Sequence, residues 1–278
     1  MGQSNGAADS KIRLRGVTKS FGDNHALRGV DLEVADGGSL VLFGTSGSGK
    51  TLLLKCILGI VHPDSGAIEV DGQDTVSLSG RARTAFMDRF SMLFQQGGLF
   101  DSLPIWENIA FKLINYRHMD RRQAREIALE KLTAVGLGRE VGELYPAELS
   151  GGMQKRVGIA RAIASEPEIV FLDEPTAGLD PIMSNRINDL ILDLVQRSGT
   201  TAISITSDMN SARRIADRAA MIHEGRIIWT GGTTELEDSG NEAVHQFVHK
   251  LAEGPIRMRV HARDIAGARL DAGGPGTP

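Results

Sequence analysis

The chain has 278 residues, 31 Lys and Arg against 35 Asp and Glu for a net charge of −4, and hydrophobic and charged fractions of 41% and 24%. Those fractions suit a globular protein with a real core. The length allows one α/β domain with an inserted subdomain, and the acidic balance argues against a nucleic-acid partner, which calls for a basic excess. Cys56 is the sole cysteine, so no intrachain disulfide can form and a reducing compartment fits.

The start, MGQSNGAADSK, lacks the apolar stretch of a signal peptide. Gly2 is followed by Gly6 where a myristoylation pattern wants Ser or Thr. Residues 1–10 are expected to be a flexible tail. Alternating strand patterns follow in KIRLRGV, GVDLEV and GAIEVDG, the last after a Pro-Asp-Ser-Gly turn. They predict a small antiparallel layer built around the first parallel strand, SLVLFG, residues 39–44. The densest apolar run, LLLKCILGIV, covers residues 52–61 and contains Lys55. It is far shorter than the ~18–20 residues that span a bilayer, so a membrane role would come through a partner.

From about Asn108 to Ala164 helical periodicity dominates. Asp120 with Gln123 resembles a capping box, and Ile127, Ala128, Lys131, Leu132 and Val135 form a mostly apolar stripe that reads as a packing face. Strand character returns in EIVFLDEP, residues 168–175, before a helix from Pro181 to about Gln196. Next come the strand TTAISIT and a hairpin, AAMIHEGRIIWTG. The alternation predicts an α/β fold with a mainly parallel core sheet covered by helices.

Three motifs carry chemistry. GTSGSGKT, residues 44–51, fits G-x-x-x-x-G-K-[ST] between an apolar strand and a helix. Gly44, Gly47 and Gly49 let the backbone bend, so that successive N–H groups, those of Thr45, Ser46 and Ser48 among them, converge on phosphate oxygens. Lys50 can reach the β- and γ-phosphates, and Thr51 offers a hydroxyl to Mg²⁺. IVFLDEP then ends a buried strand on two carboxylates, a costly arrangement unless a cation sits opposite. Mg²⁺ on a triphosphate supplies that charge: Asp173 can hold the metal, directly or through water, and Glu174 can orient or deprotonate the attacking water. ELSGGMQKR, finally, opens a helix with Ser150, Gly151 and Gly152, a second anion site at free N–H groups. A second cradle beside a single acid strand makes sense if it closes over a nucleotide held by another copy of the chain.

LSGGMQKR together with GTSGSGKT and LDEPTAGLD resembles the ATP-binding cassette (ABC) ATPases, over about residues 11–254. The resemblance implies a P-loop NTPase fold with a small antiparallel β-layer and an inserted helical subdomain at about 97–165, and residues 255–278 as an extension, flexible or docked on a neighbouring subunit. It implies that Gln95 touches Mg²⁺ and the attacking water and links the site to a membrane subunit. It also implies that Phe21 stacks on adenine and that Asp180 communicates across a dimer. Two chains would sandwich two ATP head to tail, and hydrolysis would reopen them. MLFQQGGLFDSLPIWENIAF and QFVHKLAEGPI look, more narrowly, like the ATPase of Mla/Mce-type phospholipid transporters of Gram-negative bacteria. That likeness implies permease subunits, a lipid-binding Mce protein and a small STAS-domain protein as partners. The ATPase would sit in the cytoplasm, peripheral on the inner face of the inner membrane.

One position departs from the family. ABC ATPases usually place a histidine after the strand that here ends in Thr206-Ser207-Asp208, and serine has a short reach and one hydroxyl donor. A direct bond to the γ-phosphate needs a closer backbone or a bridging water. Two readings follow: an active, slower ATPase with Ser207 at the γ-phosphate edge, or an ATP-gated binding module with weak hydrolysis. A third class, the soluble ABC ATPases of DNA repair or translation, typically carries two cassettes or a coiled-coil insertion. Neither feature is found here.

Overall fold

The computed structural model describes residues 10–94 and 98–256, and the chain divides into two compact units, Met1–Leu236 and Glu237–Pro278. In the first unit β1 (Ser10–Phe21) and β2 (Asn24–Ala35) form a long antiparallel hairpin, extended by β4 (Ser65–Val70) and β5 (Gln73–Asp74) in the order β2-β1-β4-β5. Residues such as Ile12, Leu14, Val30 and Ile68 alternate inward, the period of a strand with one covered face.

The expected antiparallel layer is present, but it is not built around SLVLF. That strand, β3 (Ser39–Phe43), lies instead in a second sheet of order β10-β9-β3-β8-β7-β6. The other members are β6 (Phe90–Leu93), β7 (Ile169–Asp173), β8 (Thr201–Ile205), β9 (Arg218–His223) and β10 (Arg226–Gly232). All of its pairs run parallel except the β9–β10 hairpin. The physical reason is burial: every residue of β3 is buried, as are those of β7 and β8, and a continuous apolar run needs cover on both faces. Asp173 pairs with Ile205 in the β7–β8 register, so the loops after β7 and β8 leave the sheet side by side. Ligands of open parallel sheets bind outside such carboxyl ends.

Helix α1 (Lys50–Ile57) follows β3 and buries Leu53, Leu54, Cys56 and Ile57. A short helix α2 (Gly80–Asp88) follows the β-layer. The middle third is helical as expected, with α3 (Ile105–Asn115), α4 (Arg121–Ala134), α5 (Gly151–Ala164) and short 3₁₀ turns between. Asp120 caps α4 by accepting the N–H groups of Arg122 and Gln123. The buried face of α4 runs through Ala124, Ala128, Leu129 and Leu132, rotated from the expected stripe so that Ile127 stays half-exposed. Helices α6 (Pro181–Ser198) and α7 (Met209–Ile215) flank β8. No helix among the described residues is long and apolar enough to cross a membrane.

In the second unit α8 (Glu242–Val248) is capped by Asn241, which accepts from Ala243 and Val244. Buried Gln246 accepts the Ile256 N–H at 2.8 Å and donates to the carbonyls of Leu251 and Ile256, folding the GPI segment back on its own helix. Of the extension expected from residue 255 onward, only Pro255 and Ile256 are described, and the N-terminal tail likewise lies outside the described residues except for Ser10.

Candidate nucleotide site

The phosphate loop turns from β3 into α1 through glycines that no side chain could replace. Gly44 has φ 144°, and a Cβ there would sit 2.1 Å from the Ile222 carbonyl oxygen; Gly49, the N-cap of α1, has φ 107°. The loop is held from outside by the β9–β10 turn. Gly225 donates its N–H to the Ser48 carbonyl at 3.1 Å, and its own carbonyl accepts from Arg28 of β2 at 2.8 Å.

Lys50 Nζ donates to the Gly44 and Thr45 carbonyls at 2.9 and 2.7 Å, so the loop is curled around its ammonium. Burial lowers the Lys50 pKa, opposed by the nearby carboxylates of Glu174 and Asp173. Thr51 Oγ1 donates to Asp173 Oδ2 at 3.0 Å. Asp173 is 4% exposed, and burial raises its pKa although the Thr51 hydroxyl and the charges of Lys50 and Lys155 pull the other way. The buried Ser48 hydroxyl has no hydrogen-bond partner among the described residues. An orphaned hydroxyl, a glycine cradle and a buried carboxyl beside a threonine hydroxyl together fit a magnesium-bound triphosphate.

Glu174 continues directly from β7 with φ 50°, a left-handed conformation that costs a non-glycine residue roughly 1–2 kcal/mol. Its N–H donates to the Ile205 carbonyl at 2.9 Å, which anchors the turn to the end of β8. Strain of this kind at a partly buried acid points to a functional position. Lys155 of α5 was not among the residues singled out by motif. Its Nζ donates to the Ala177 carbonyl at 2.5 Å, and burial lowers its pKa despite the attraction of Glu174 and Asp173. It lies five positions beyond Ser150 in SGGMQK, and nothing in that spacing marks it.

After β8, Thr206 is buried while Ser207 and Asp208 are exposed. Asp208 is the cap of α7, accepting from Asn210 at 3.1 Å and Ser211 at 3.3 Å. The Ser207 side chain makes no hydrogen bond among the described residues. The cap therefore falls to Asp208 alone.

The other expected residues that are described sit on further elements. Phe21 closes β1 with 55% of its surface exposed, with Lys19 Nζ 5.5 Å from its ring centroid. Ser150 caps α5 by accepting the Met153 N–H at 3.3 Å, which leaves the Gly151 and Gly152 end of the helix open. Asp180 caps α6 by accepting from Met183 at 3.0 Å and is exposed. No hydrogen bond among the described residues joins the Ser150 or Asp180 segments to residues 44–51. Gln95 lies outside the described residues.

The chain matches the ABC transporter family over residues 27–177, a stretch that contains the phosphate loop, the Ser150–Gly152 helix start and the Asp173-Glu174 pair. This chain is a member of the ABC transporter family. It is the ATP-binding, ATP-hydrolysing subunit of such a transporter, and its fold is the P-loop cassette. Among solved structures, the ABC ATPase superimposes on the dimeric cassette MJ0796 bound to ADP and Pi with a TM-score of 0.76 and 32% identity, covering 80% of this chain and 98% of that one. It is 38% identical over 253 residues to the intermembrane phospholipid transport system ATP-binding protein MlaF of Haemophilus influenzae, covering 91% of this chain and 96% of that protein. It is also 36% identical over 247 residues to the probable ribonucleotide transport ATP-binding protein mkl of Mycobacterium leprae, covering 89% of this chain and 71% of that protein.

Proposed function

We propose that this ABC ATPase energises phospholipid movement by an Mla/Mce-type transporter. The observation that carries this reading is similarity to MlaF along nearly the whole of both chains, whereas the match to mkl leaves over a quarter of that protein uncovered. The ATPase works as a head-to-tail dimer on the cytoplasmic face of a bacterial inner membrane, joined to permease subunits, with Mce and STAS-domain proteins in the assembly and no nucleic acid. The cassette spans about residues 11–254, its helical subdomain about 97–165.

In hydrolysis the loop N–H groups of residues 44–49 and the Lys50 ammonium bind and orient the phosphates. Lys50 exchanges its carbonyl partners for phosphate oxygens. Thr51 and Asp173 would hold Mg²⁺, which when bound neutralises charge between the β- and γ-phosphates. Glu174 takes the proton of the attacking water, with Gln95 as the second group on that water and Ser207 at the γ-phosphate edge. Ser150, Gly151 and Gly152 present free N–H groups to the nucleotide of the facing copy, Asp180 lies at the dimer seam, and Phe21 offers its exposed ring to adenine. A weakly hydrolysing, ATP-gated module is not favoured, because Lys50, Thr51, Asp173 and Glu174 are arranged for turnover.

The test is purification from membranes with lipid identification, paired with ATPase assays. A multi-spanning permease and bound phospholipid are expected in the complex, and turnover is expected to fall at least about 10²-fold in Lys50→Ala. Hydrolysis equal in wild type and Lys50→Ala overturns the catalytic assignment; a membrane complex carrying no phospholipid overturns the cargo.

A further inference from the structure

A buried polar relay joins three segments next to the γ-phosphate edge, through side chains to which no role has been given. Asn188 of α6 and Ser211 of α7 are each 2% exposed, and Thr176, two residues after Glu174, is 6% exposed. Asn188 Nδ2 donates to Ser211 Oγ at 2.9 Å, Ser211 Oγ donates to Asp208 Oδ2 at 2.7 Å, and the Thr176 hydroxyl lies 3.4 Å from that of Ser211. A serine hydroxyl has one hydrogen and two lone pairs. With its hydrogen on the Asp208 carboxylate, Ser211 must accept from both other groups. The Asn188 amide is thus oriented nitrogen first, since its oxygen would compete for a hydrogen already used. Asp208 also donates its own N–H to Thr206 Oγ1 at 3.1 Å. The Asn188 oxygen is buried without a partner among the described residues, and the residue borders a cleft of about 660 Å³ shared with Leu179, Pro181, Ser184 and Asp208.

Capping α7 requires only the Asp208 carboxylate. The extra bonds tie that carboxylate to the loop that carries Glu174 and to the helix that begins at Asp180. We propose that Asn188 and Ser211 are positioning residues for ATP hydrolysis, fixing loop 206–208 against the Glu174 loop and locking both to α6. The proposal rests on the reading that residues 206–208 face the terminal phosphate.

Asn188→Asp keeps the shape and removes the donor, leaving the single Ser211 hydrogen between two carboxylates. Adding Asp208→Asn reverses the relay: the amide nitrogen takes the place of Oδ2 and donates to Ser211 Oγ, while the amide oxygen keeps the Asn210 N–H of the cap. In steady-state assays of the full chain, Asn188→Asp and Ser211→Ala are expected to lower kcat about ten-fold or more, as small misplacements of reacting groups do. Both single variants leave a buried polar group unpaired and should melt below wild type. At temperatures where they are fully folded the kcat loss should remain with KM for ATP near wild type, and the Asn188→Asp/Asp208→Asn double variant should recover most of it. Ser207→Ala, measured alongside, tests the underlying reading and should lower kcat. An unaffected Ser207→Ala overturns that reading and the proposal with it. An impaired Ser207→Ala with wild-type kcat in Asn188→Asp and Ser211→Ala overturns the proposal alone. So does a double variant no better than Asn188→Asp, or a kcat loss that disappears once turnover is counted per folded molecule, which marks a merely structural network.

Discussion

Ser207 and Asp208 are neighbours, and Asp208 is the one that caps α7. Both residue types cap helices, so sequence alone leaves open which does so here; the geometry gives the cap to Asp208 and leaves the Ser207 hydroxyl exposed and without a hydrogen bond among the described residues. An imidazole reaches further than a hydroxymethyl group and can place a donor without a bridging water. Ser207→His is therefore expected to raise kcat, up to roughly the 10²-fold that one positioned donor contributes in other enzymes. A rate no higher than wild type would mean that Ser207, or a water it holds, already serves the phosphate. The motif residues Lys50, Thr51, Asp173 and Glu174 were legible because their chemistry demands fixed types at fixed spacing. The relay was not: Asn188, Ser211 and Thr176 are ordinary residues 23 and 35 positions apart, joined only by tertiary packing.

Elements were legible where one physical period dominates. Helices α3 to α6 stand out by apolar spacing and caps, and β7 and β8 by unbroken apolar runs. Helix α2 escaped notice because it buries only Phe86, leaving no stripe to read, and β5 is two residues long. The layer around SLVLF was misplaced because alternation identifies a strand but not its partners. Strand pairing is decided by which faces are covered, and β3 needs cover on both. The cap on α4 gives a prediction at this scale. Asp120→Ala removes the acceptor for two N–H groups and is expected to cost about 1 kcal/mol. In a domain of this size that lowers the melting temperature by about 2–4 °C. Turnover per folded molecule should not change, because Asp120 is remote from the phosphate loop in sequence and makes no bond to it. Calorimetry and ATPase assays on the same samples check both halves.

At the scale of the first unit, a charge cluster ties the β-layer to the core sheet. Lys11 of β1 pairs with Asp36 at 3.2 Å, Asp71 at 3.3 Å and Glu168 at 3.4 Å, while Arg89 binds both Asp71 and Glu168. The hydrogen bond from Arg89 lowers the Glu168 pKa; burial raises that of Asp71, but Arg89 and Lys11 outweigh it and the net shift is downward. Carboxylates with depressed folded pKa values add stability above their unfolded values, about 4.3 for Glu and 3.9 for Asp, and lose it as pH falls through the folded values. Glu168 is half-exposed, so solvent screening limits its pairs to about 1 kcal/mol or less. Urea denaturation should show stability declining from about pH 5 to pH 3. Glu168→Gln should be less stable at pH 7 and show a shallower acid decline. An unchanged acid limb would remove this cluster from the account.

The β9–β10 turn that grips the phosphate loop also sets an order of events during synthesis. GTSGSGKT is made early, but its shape is closed by Ile222 and Gly225, and the carboxylate that bonds Thr51 comes from Asp173. A nascent chain halted before Arg218 holds the phosphate-binding sequence without the walls that shape it. Nucleotide is therefore expected to protect only chains long enough to include that turn, which limited proteolysis of chains ending before and after the β9–β10 hairpin, with and without ATP, would check.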